Sequence, residues 1–359
     1  MTKKIALARF KYTPYGGAEN YLARLISALR ERGVSFRVFS TNWVDENAAK
    51  ITSPKFLPSF LRILSFAHFA CKQKKDDELL FSLERLPCAD VYRAGDGVHR
   101  AWLDTRLSYG ESRAAIFSNP LQAVYLWLER QTFQNSRKII ANSNFVKNDI
   151  IRYYDIAPSK IEVVYNGVPQ NDTDETSARD EICAEFGIDK SKKLILFVGS
   201  GFMRKGAAEF LEIVNALDRD DFVCLAVGKE KRISKYKDTA AKLGINVIFT
   251  GARSDIAKFY TASDIFLFPT HYEPFSNACL EAMAGGCAVI TTAQNGASEA
   301  LGNEFVMKTP MDMDILPTLH RLLDDAEFLD SVKEANRAKS LEFSVERNLE
   351  ETLKVLESL

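Results

Sequence analysis

The stretch "DIFLFPTHYEPFSNACLEAMAGGCAVIT", Asp264 to Thr291, decides the fold. "DIFLFP" is a short unbroken apolar run closed by a proline, the pattern of a parallel strand buried on both faces. Pro274 can neither continue a ladder nor sit inside a helix, so Glu273 falls on a loop. Ser276 or Asn277 then caps a helix that runs through Leu280 and Met283 and ends near Gly285–Gly286. "AVITT" follows as another buried strand. Strand, loop, helix and strand make a βαβ unit, with Glu273 just ahead of the helix and Glu281 one turn into it.

The same alternation runs outward in both directions. "KIALARF", "GGAENYLARLISALRERG" and "VSFRVFST" read as strand, helix and strand, with Leu22, Leu25, Ile26 and Leu29 at helical spacing and a stop at Gly33. "KIIANS" and "IEVVYNGV" are further strands around the helical "NFVKNDIIRYY". A polar stretch, "PQNDTDETSARDE" (169–181), carries few apolar residues and reads as a linker. Beyond it, "KLILFVG", "DFVCLAVG" and "NVIFTG" are strands separated by helical segments. Two α/β halves joined by a linker fit this order better than one large sheet. The last segment, "SVERNLEETLKVLESL", is an amphipathic helix.

Composition narrows the partners. The chain has 359 residues, 47 basic against 48 acidic, 46% apolar and 26% charged. These are ordinary globular values, and near-neutral charge points away from nucleic acid. Six cysteines, at 71, 88, 183, 224, 279 and 287, form no C-x-x-C pair, and the four histidines are scattered. Neither a zinc site nor a disulfide framework is expected, and buried free thiols in a reducing compartment are. No secretory leader and no apolar run of ~18 residues is present, so the expected place is the cytoplasm, soluble or lying on a membrane.

Three places carry chemistry. In "GSGFMRKGAAEFL", Arg204 and Lys205 stand between the end of a strand and the next helix. Two cations beside a helix N-terminus suit a diphosphate; the plain alternative is a solvated charge pair. Arg204 occupies the place of the third glycine of a dinucleotide fingerprint, and the Lys-Ser/Thr ending of a P-loop is missing. In the opening stretch, the head of the helix near Asn277 offers backbone N–H groups to phosphate oxygens. Glu281 can reach a ribose diol, and Glu273 a group beyond the phosphates; the plain alternative for both is surface charge. In "YRAGDGVH" (92–99), Asp96 lies between two glycines after a strand end, as a site residue or an Asp-Gly turn. His99 follows it, in a structural or a functional role.

Two aromatic segments stand apart. "KFLPSFLRILSFAHFACK" (55–72) mixes phenylalanine and leucine with Lys55, Arg62 and Lys72 and suits a lipid headgroup layer. "AAIFSNPLQAVYLWLERQTF" (114–133) reads more readily as a core-facing stripe.

From Glu273 to Glu281 the chain resembles the E-x7-E signature of retaining glycosyltransferases with the GT-B fold, family 4. It keeps "EPF", "LEAMAGG" and "AVI", with Ser276 where glycine is usual and Cys287–Ala288 around the usual proline. "ANSNFVKNDI" followed by "VVYNGV" is similar to that family's interdomain approach, and the resemblance spans nearly the whole chain. "YTPYGGAENYLARL" (12–25) and "LERLPCADVYRAGDGVHRAWL" (83–103) further resemble the bacterial lipopolysaccharide core glucosyltransferase group. The resemblance implies two Rossmann-like domains facing an interdomain cleft: residues 1–168, which bind acceptor, and 169–342, which bind the nucleotide-sugar. A final helix at about 343–359 crosses back to the first domain.

It also implies a metal-independent, retaining transfer of a hexose from a nucleotide-sugar, UDP-linked, to a lipid-linked oligosaccharide, at the cytoplasmic membrane. Asp96, Arg204, Lys205 and Glu273 are its catalytic set. Gly16, Gly17, Gly201, Ser276, Asn277, Ala278 and Glu281 join the last three of these in holding the donor, and Asp96 and His99 hold the acceptor. No cofactor beyond the nucleotide-sugar is implied. An NAD-dependent oxidoreductase and a catalytically silent sugar-nucleotide-binding protein are the alternatives.

Overall fold

The computed structural model describes residues 4–11, 17–43, 48–51, 53–54 and 56–359. The chain divides into two units, residues 1–165 with 348–359, and residues 166–347.

The first unit is built on a parallel sheet of β1 (Lys4–Ala8), β2 (Phe36–Ser40), β3 (Ala48–Lys50), β4 (Glu78–Ser82), β5 (Val91–Ala94), β6 (Lys138–Ala141) and β7 (Ile161–Val163). Their order is β3-β2-β1-β4-β5-β6-β7. Ile5 pairs with Phe36 on one side of β1 and with Leu79 on the other. The apolar runs have no polar alternation because helices cover both faces, and β4 and β5 are buried at every position. Helix Gly17–Glu31 packs Leu22, Leu25, Ile26 and Leu29 into a cluster with Leu7, Val38 and Phe81. Leu353, Val355 and Leu356 of helix Val345–Glu357 complete that cluster, and the Tyr21 hydroxyl lies 3.0 Å from Thr352 Oγ1.

The second unit holds β8 (Lys193–Val198), β9 (Phe222–Val227), β10 (Val247–Gly251), β11 (Ile265–Phe268), β12 (Ala288–Thr292) and β13 (Val306–Met307), in the order β10-β9-β8-β11-β12-β13, all parallel. In each sheet the strand order reverses once, between β1 and β4 and between β8 and β11. The carboxyl ends of the strands flanking such a reversal are where ligands gather in open parallel sheets.

Several details depart from the sequence reading. The first unit closes at Tyr165 instead of residue 168, because Val168 bridges to Ser344 and so pairs within the second unit. The returning segment begins at Asn348, not at about 343. The polar stretch 169–181 is linker only in part. Asp174 accepts a 2.8 Å bond from Ser177 N and starts helix Glu175–Phe186, which buries Ala178, Ile182 and Cys183.

The expectation of no disulfide is overturned at Cys71 and Cys88, which are bonded across 5.6 Å between Cα atoms. Helix Ser59–Gln73 leads into β4, and the β4–β5 loop comes back over the end of that helix. There Lys74 Nζ donates to Cys88 O at 3.1 Å and pairs with Asp90 at 2.7 Å. A separation of 17 residues gives no sign of this meeting. Cys183, Cys224, Cys279 and Cys287 are buried free thiols.

The segment 114–133 is two helices, Arg113–Phe117 and Pro120–Asn135, broken where Asn119 caps the second. It is not wholly core-facing: Leu128 and Phe133 are buried, but Trp127 is 53% exposed. Lys55 lies outside the described residues. Among the described residues no helix is long and apolar enough to cross a membrane.

Candidate active site

The loops after β8 and β11, the two strands flanking the reversal in the second sheet, are locked together. Gly206 has φ +77°, and a Cβ there would lie 1.8 Å from Pro269 O, so only glycine lets the loops approach this closely. The Arg204 carbonyl accepts from Thr270 Oγ1 and from His271 N, each at 3.0 Å. With the backbone held at those points, Arg204 Nη1 donates to Glu273 Oε2 at 2.8 Å and to Tyr272 O at 3.0 Å. Lys205 Nζ donates to the same Glu273 oxygen and sits 5.1 Å from the centre of the Phe268 ring.

Lys205 and Glu273 are each largely buried, and Arg204 is about one-third exposed. Burial pushes the Glu273 carboxyl up, but the Lys205 and Arg204 cations outweigh it and hold the group below the usual range. Burial is the larger effect on Lys205 and lowers it. The residues therefore form one compact charged group, two cations against one carboxylate, with a net positive charge available to an anion.

Glu273 is fixed from behind by the loop after β12. Glu273 N donates to Gln294 O at 2.9 Å, and Gly296 N to Glu273 O at 3.0 Å. Ser276 caps helix Asn277–Ala284, accepting from Cys279 N at 3.3 Å. Its own N–H donates to Asn295 Oδ1 at 3.2 Å. Asn295 is fully buried, and its amide also reaches Ala297 N, Thr291 Oγ1 and Cys279 Sγ. No reading of the sequence singles it out, since an Asn-Gly pair between a strand and a short helix looks like any turn. Asn277 Oδ1 accepts from Asn166 Nδ2 at 2.8 Å, and Ala278 is half-buried at the head of the helix. One turn along, Glu281 is hydrogen-bonded to the hydroxyl of buried Tyr260, whose titration is driven far upward by burial and then by the Glu281 charge. Gly201, with φ +74°, begins the turn into Phe202–Lys205.

Asp96 and His99 belong to the first unit. Asp96 is exposed on the turn after β5, where Gly97 takes φ +73° and its N–H donates to Ala94 O at 3.2 Å. His99 opens helix His99–Ser108, with Nε2 2.8 Å from Gln122 Oε1 and its ring 5.2 Å from that of Tyr125. Gly17 is the first residue of its helix. Gly16 lies outside the described residues. Among the described residues no group of His, Cys, Asp or Glu is arranged to hold a metal ion.

Two histidines are held neutral. Burial lowers His99 to about 4, and it lowers His271, whose Nε2 is 3.0 Å from Glu209 Oε1, to about 4 as well. In the unfolded chain each ring takes up its proton near 6.5. The stability that neutral burial provides is therefore complete above that value and is lost as pH falls from about 6.5 toward about 4. Thermal melts across that range should show a falling Tm, with a shallower slope in His99→Gln. An identical slope in the variant would show that His99 does not contribute to it.

Residues 178–339 match the family model described as Glycosyl transferases group 1, and residues 80–172 match Glycosyltransferase Family 4. The lipopolysaccharide glucosyltransferase WaaG of Escherichia coli (strain K12) is 25% identical over 308 residues, which cover 81% of this chain and 81% of that protein. The crystal structure of WaaG, a glycosyltransferase involved in lipopolysaccharide biosynthesis, is similar with a TM-score of 0.79 at 22% identity, covering 98% of this chain and 99% of that one. Anabaena HepE, solved in complex with UDP-glucose, is similar with a TM-score of 0.73 at 16% identity, covering 99% and 100%.

Proposed function

Because the chain is a glycosyltransferase of the GT-B type, we propose that it moves a hexose from a UDP-linked donor to a lipopolysaccharide-core or related glycolipid, with retention at the anomeric carbon. The observation that carries the reading is the convergence of Arg204 and Lys205 on Glu273, between the loops of β8 and β11. An excess of positive charge at a strand-end reversal suits a leaving diphosphate. The solved HepE complex with UDP-glucose and the name of the E. coli relative support the donor and acceptor classes.

In this reading the acceptor hydroxyl attacks the anomeric carbon from the face that the diphosphate leaves. The bond from that carbon to the phosphate oxygen breaks, and the hydroxyl proton passes to the departing phosphate. Arg204, Lys205 and the amide groups at the head of helix Asn277–Ala284 take up the charge that develops. They act without a metal. Glu273 orients the sugar hydroxyls and Glu281 the ribose. Ser276, Ala278 and Gly201 shape the backbone around the donor, and Gly16 and Gly17 join them in holding it. Asp96 and His99 engage the acceptor.

The test is mass spectrometry of products after incubation with UDP-, GDP- and ADP-hexoses and truncated lipopolysaccharide cores, with the anomeric proton coupling in NMR reading the configuration of the new linkage. A hexose added from the UDP donor with retained configuration is the expected result. Transfer from no donor in the panel would overturn the reading.

A lipid-linked acceptor also calls for membrane contact, and the first unit offers an apolar surface. Phe56 is 86% exposed just ahead of helix Ser59–Gln73, which itself exposes Leu61 and Phe69. Phe117 and Trp127 are exposed on the helices of 113–135. Aromatic rings beside basic residues seat a surface in a headgroup layer. The protein should pellet with anionic vesicles, and Phe56→Ser with Trp127→Ser should weaken that binding about tenfold. Equal recovery in the supernatant with and without vesicles would exclude it.

A further inference from the structure

Glu129 sits in the middle of helix Pro120–Asn135 and is fully buried. A carboxylate removed from water is tolerated only where donors fill its lone pairs. Donors from three other elements do so. Arg85 Nε, from the loop after β4, donates to Oε2 at 3.0 Å. His99 N and Arg100 N, in the first turn of helix His99–Ser108, donate at 2.7 and 3.2 Å. The Tyr154 hydroxyl, at the end of helix Asn144–Tyr154, donates at 2.6 Å. Val98, at the N-cap of His99–Ser108, has an apolar side chain that cannot accept from that turn, so a carboxylate from a different helix does the capping.

Glu129 does not act alone on that segment. Gln122, Tyr125 and Glu129 are spaced to lie on one face of their helix. Gln122 Oε1 meets the His99 ring nitrogen, Tyr125 packs against the ring, and Glu129 takes the His99 backbone N–H. Arg85, the same Glu129 partner, stacks its guanidinium 5.3 Å from the Tyr125 ring centre. Capping one helix turn needs a single oxygen, and a Ser or Asp at residue 98 would supply it. Three contacts from one helix face fix the backbone and the ring of His99 together. They thereby fix the Asp96–Gly97 turn that leads into it.

We propose that the Gln122–Tyr125–Glu129 face positions the Asp96–His99 segment for acceptor recognition, with Glu129 as its anchoring positioning residue. The inference rests on the glycosyltransferase reading above and names a determinant of its acceptor side.

Glu129→Gln keeps the side-chain shape but turns an NH2 toward a shell composed of donors. The turn carrying Asp96 and His99 should shift, raising the acceptor KM about tenfold while the Kd for UDP stays near wild type. A purely structural role reads differently: loss of folded protein lowers the apparent kcat and leaves KM unchanged. Gln122→Ala, at a half-buried position, removes only the ring contact and should raise the acceptor KM in the same direction. It decides the matter if Glu129→Gln does not fold. Folded variants with wild-type acceptor KM overturn the inference and leave the functional reading intact. A wild-type chain that binds UDP but glycosylates no acceptor overturns both.

Discussion

Lys205→Ala should lower kcat about 100- to 1,000-fold, the loss typical of removing one strong donor from a site of developing charge. Its ammonium is buried beside Phe268 and hydrogen-bonded to Glu273, so it acts in surroundings where water screens little. The rate should suffer far more than the fold, because Arg204 still donates to the Glu273 carboxylate and the Arg204 carbonyl keeps its bonds from Thr270 and His271. Steady-state transfer with UDP-hexose, set beside circular dichroism of the same preparation, tests both halves. A rate within a few-fold of wild type in a folded variant would refute the assignment of leaving-group stabilisation to Lys205.

Glu273→Gln should separate binding from turnover. The carboxylate neutralises part of the charge on Arg204 and Lys205 before any ligand arrives. Removing it leaves both cations free to meet a diphosphate, so UDP should bind about tenfold more tightly in calorimetry. Turnover should nevertheless fall about 100-fold, because a neutral amide accepts more weakly from sugar hydroxyls than a carboxylate does. Parallel losses of UDP affinity and rate would show instead that Glu273 serves to hold the two cations in place. The cations also set the pH response: with the carboxyl held low, the stability of this ion cluster is present above the ordinary carboxylate range. It is lost as pH falls through the depressed value.

Much of this was legible from residue patterns. Parallel strands buried on both faces read as unbroken apolar runs, and Leu22, Leu25, Ile26 and Leu29 mark a helix by their spacing. The stretch from Glu273 to Glu281 shows its loop, cap and helix through Pro274, Ser276 and the glycine pair. Other features left no local mark. Glu129 looks like any charged helix residue until Arg85, His99 and Tyr154 are folded around it. Asn295 looks like a turn until the cap of another helix is found bonded to it. Trp127 sat in a segment that read as core, because an aromatic stripe has the same spacing whether it meets protein or solvent.

The amino-acid sequence by itself determined the alternation of strands and helices, the two α/β halves and the chemical types at the strand ends. Each of these depends on residues within a turn or two of one another, where periodicity, proline, glycine and capping groups act directly. Tertiary structure alone decided which of those groups meet. Lys205 and Glu273 are 68 residues apart and share a hydrogen bond because β8 and β11 are neighbours in the sheet and Gly206 lets their loops touch. Cys71 and Cys88 bond, and Glu129 finds its donors, for the same reason. Contacts across a sheet are set by strand order and burial, which belong to the whole chain and leave no signature in any short stretch of it.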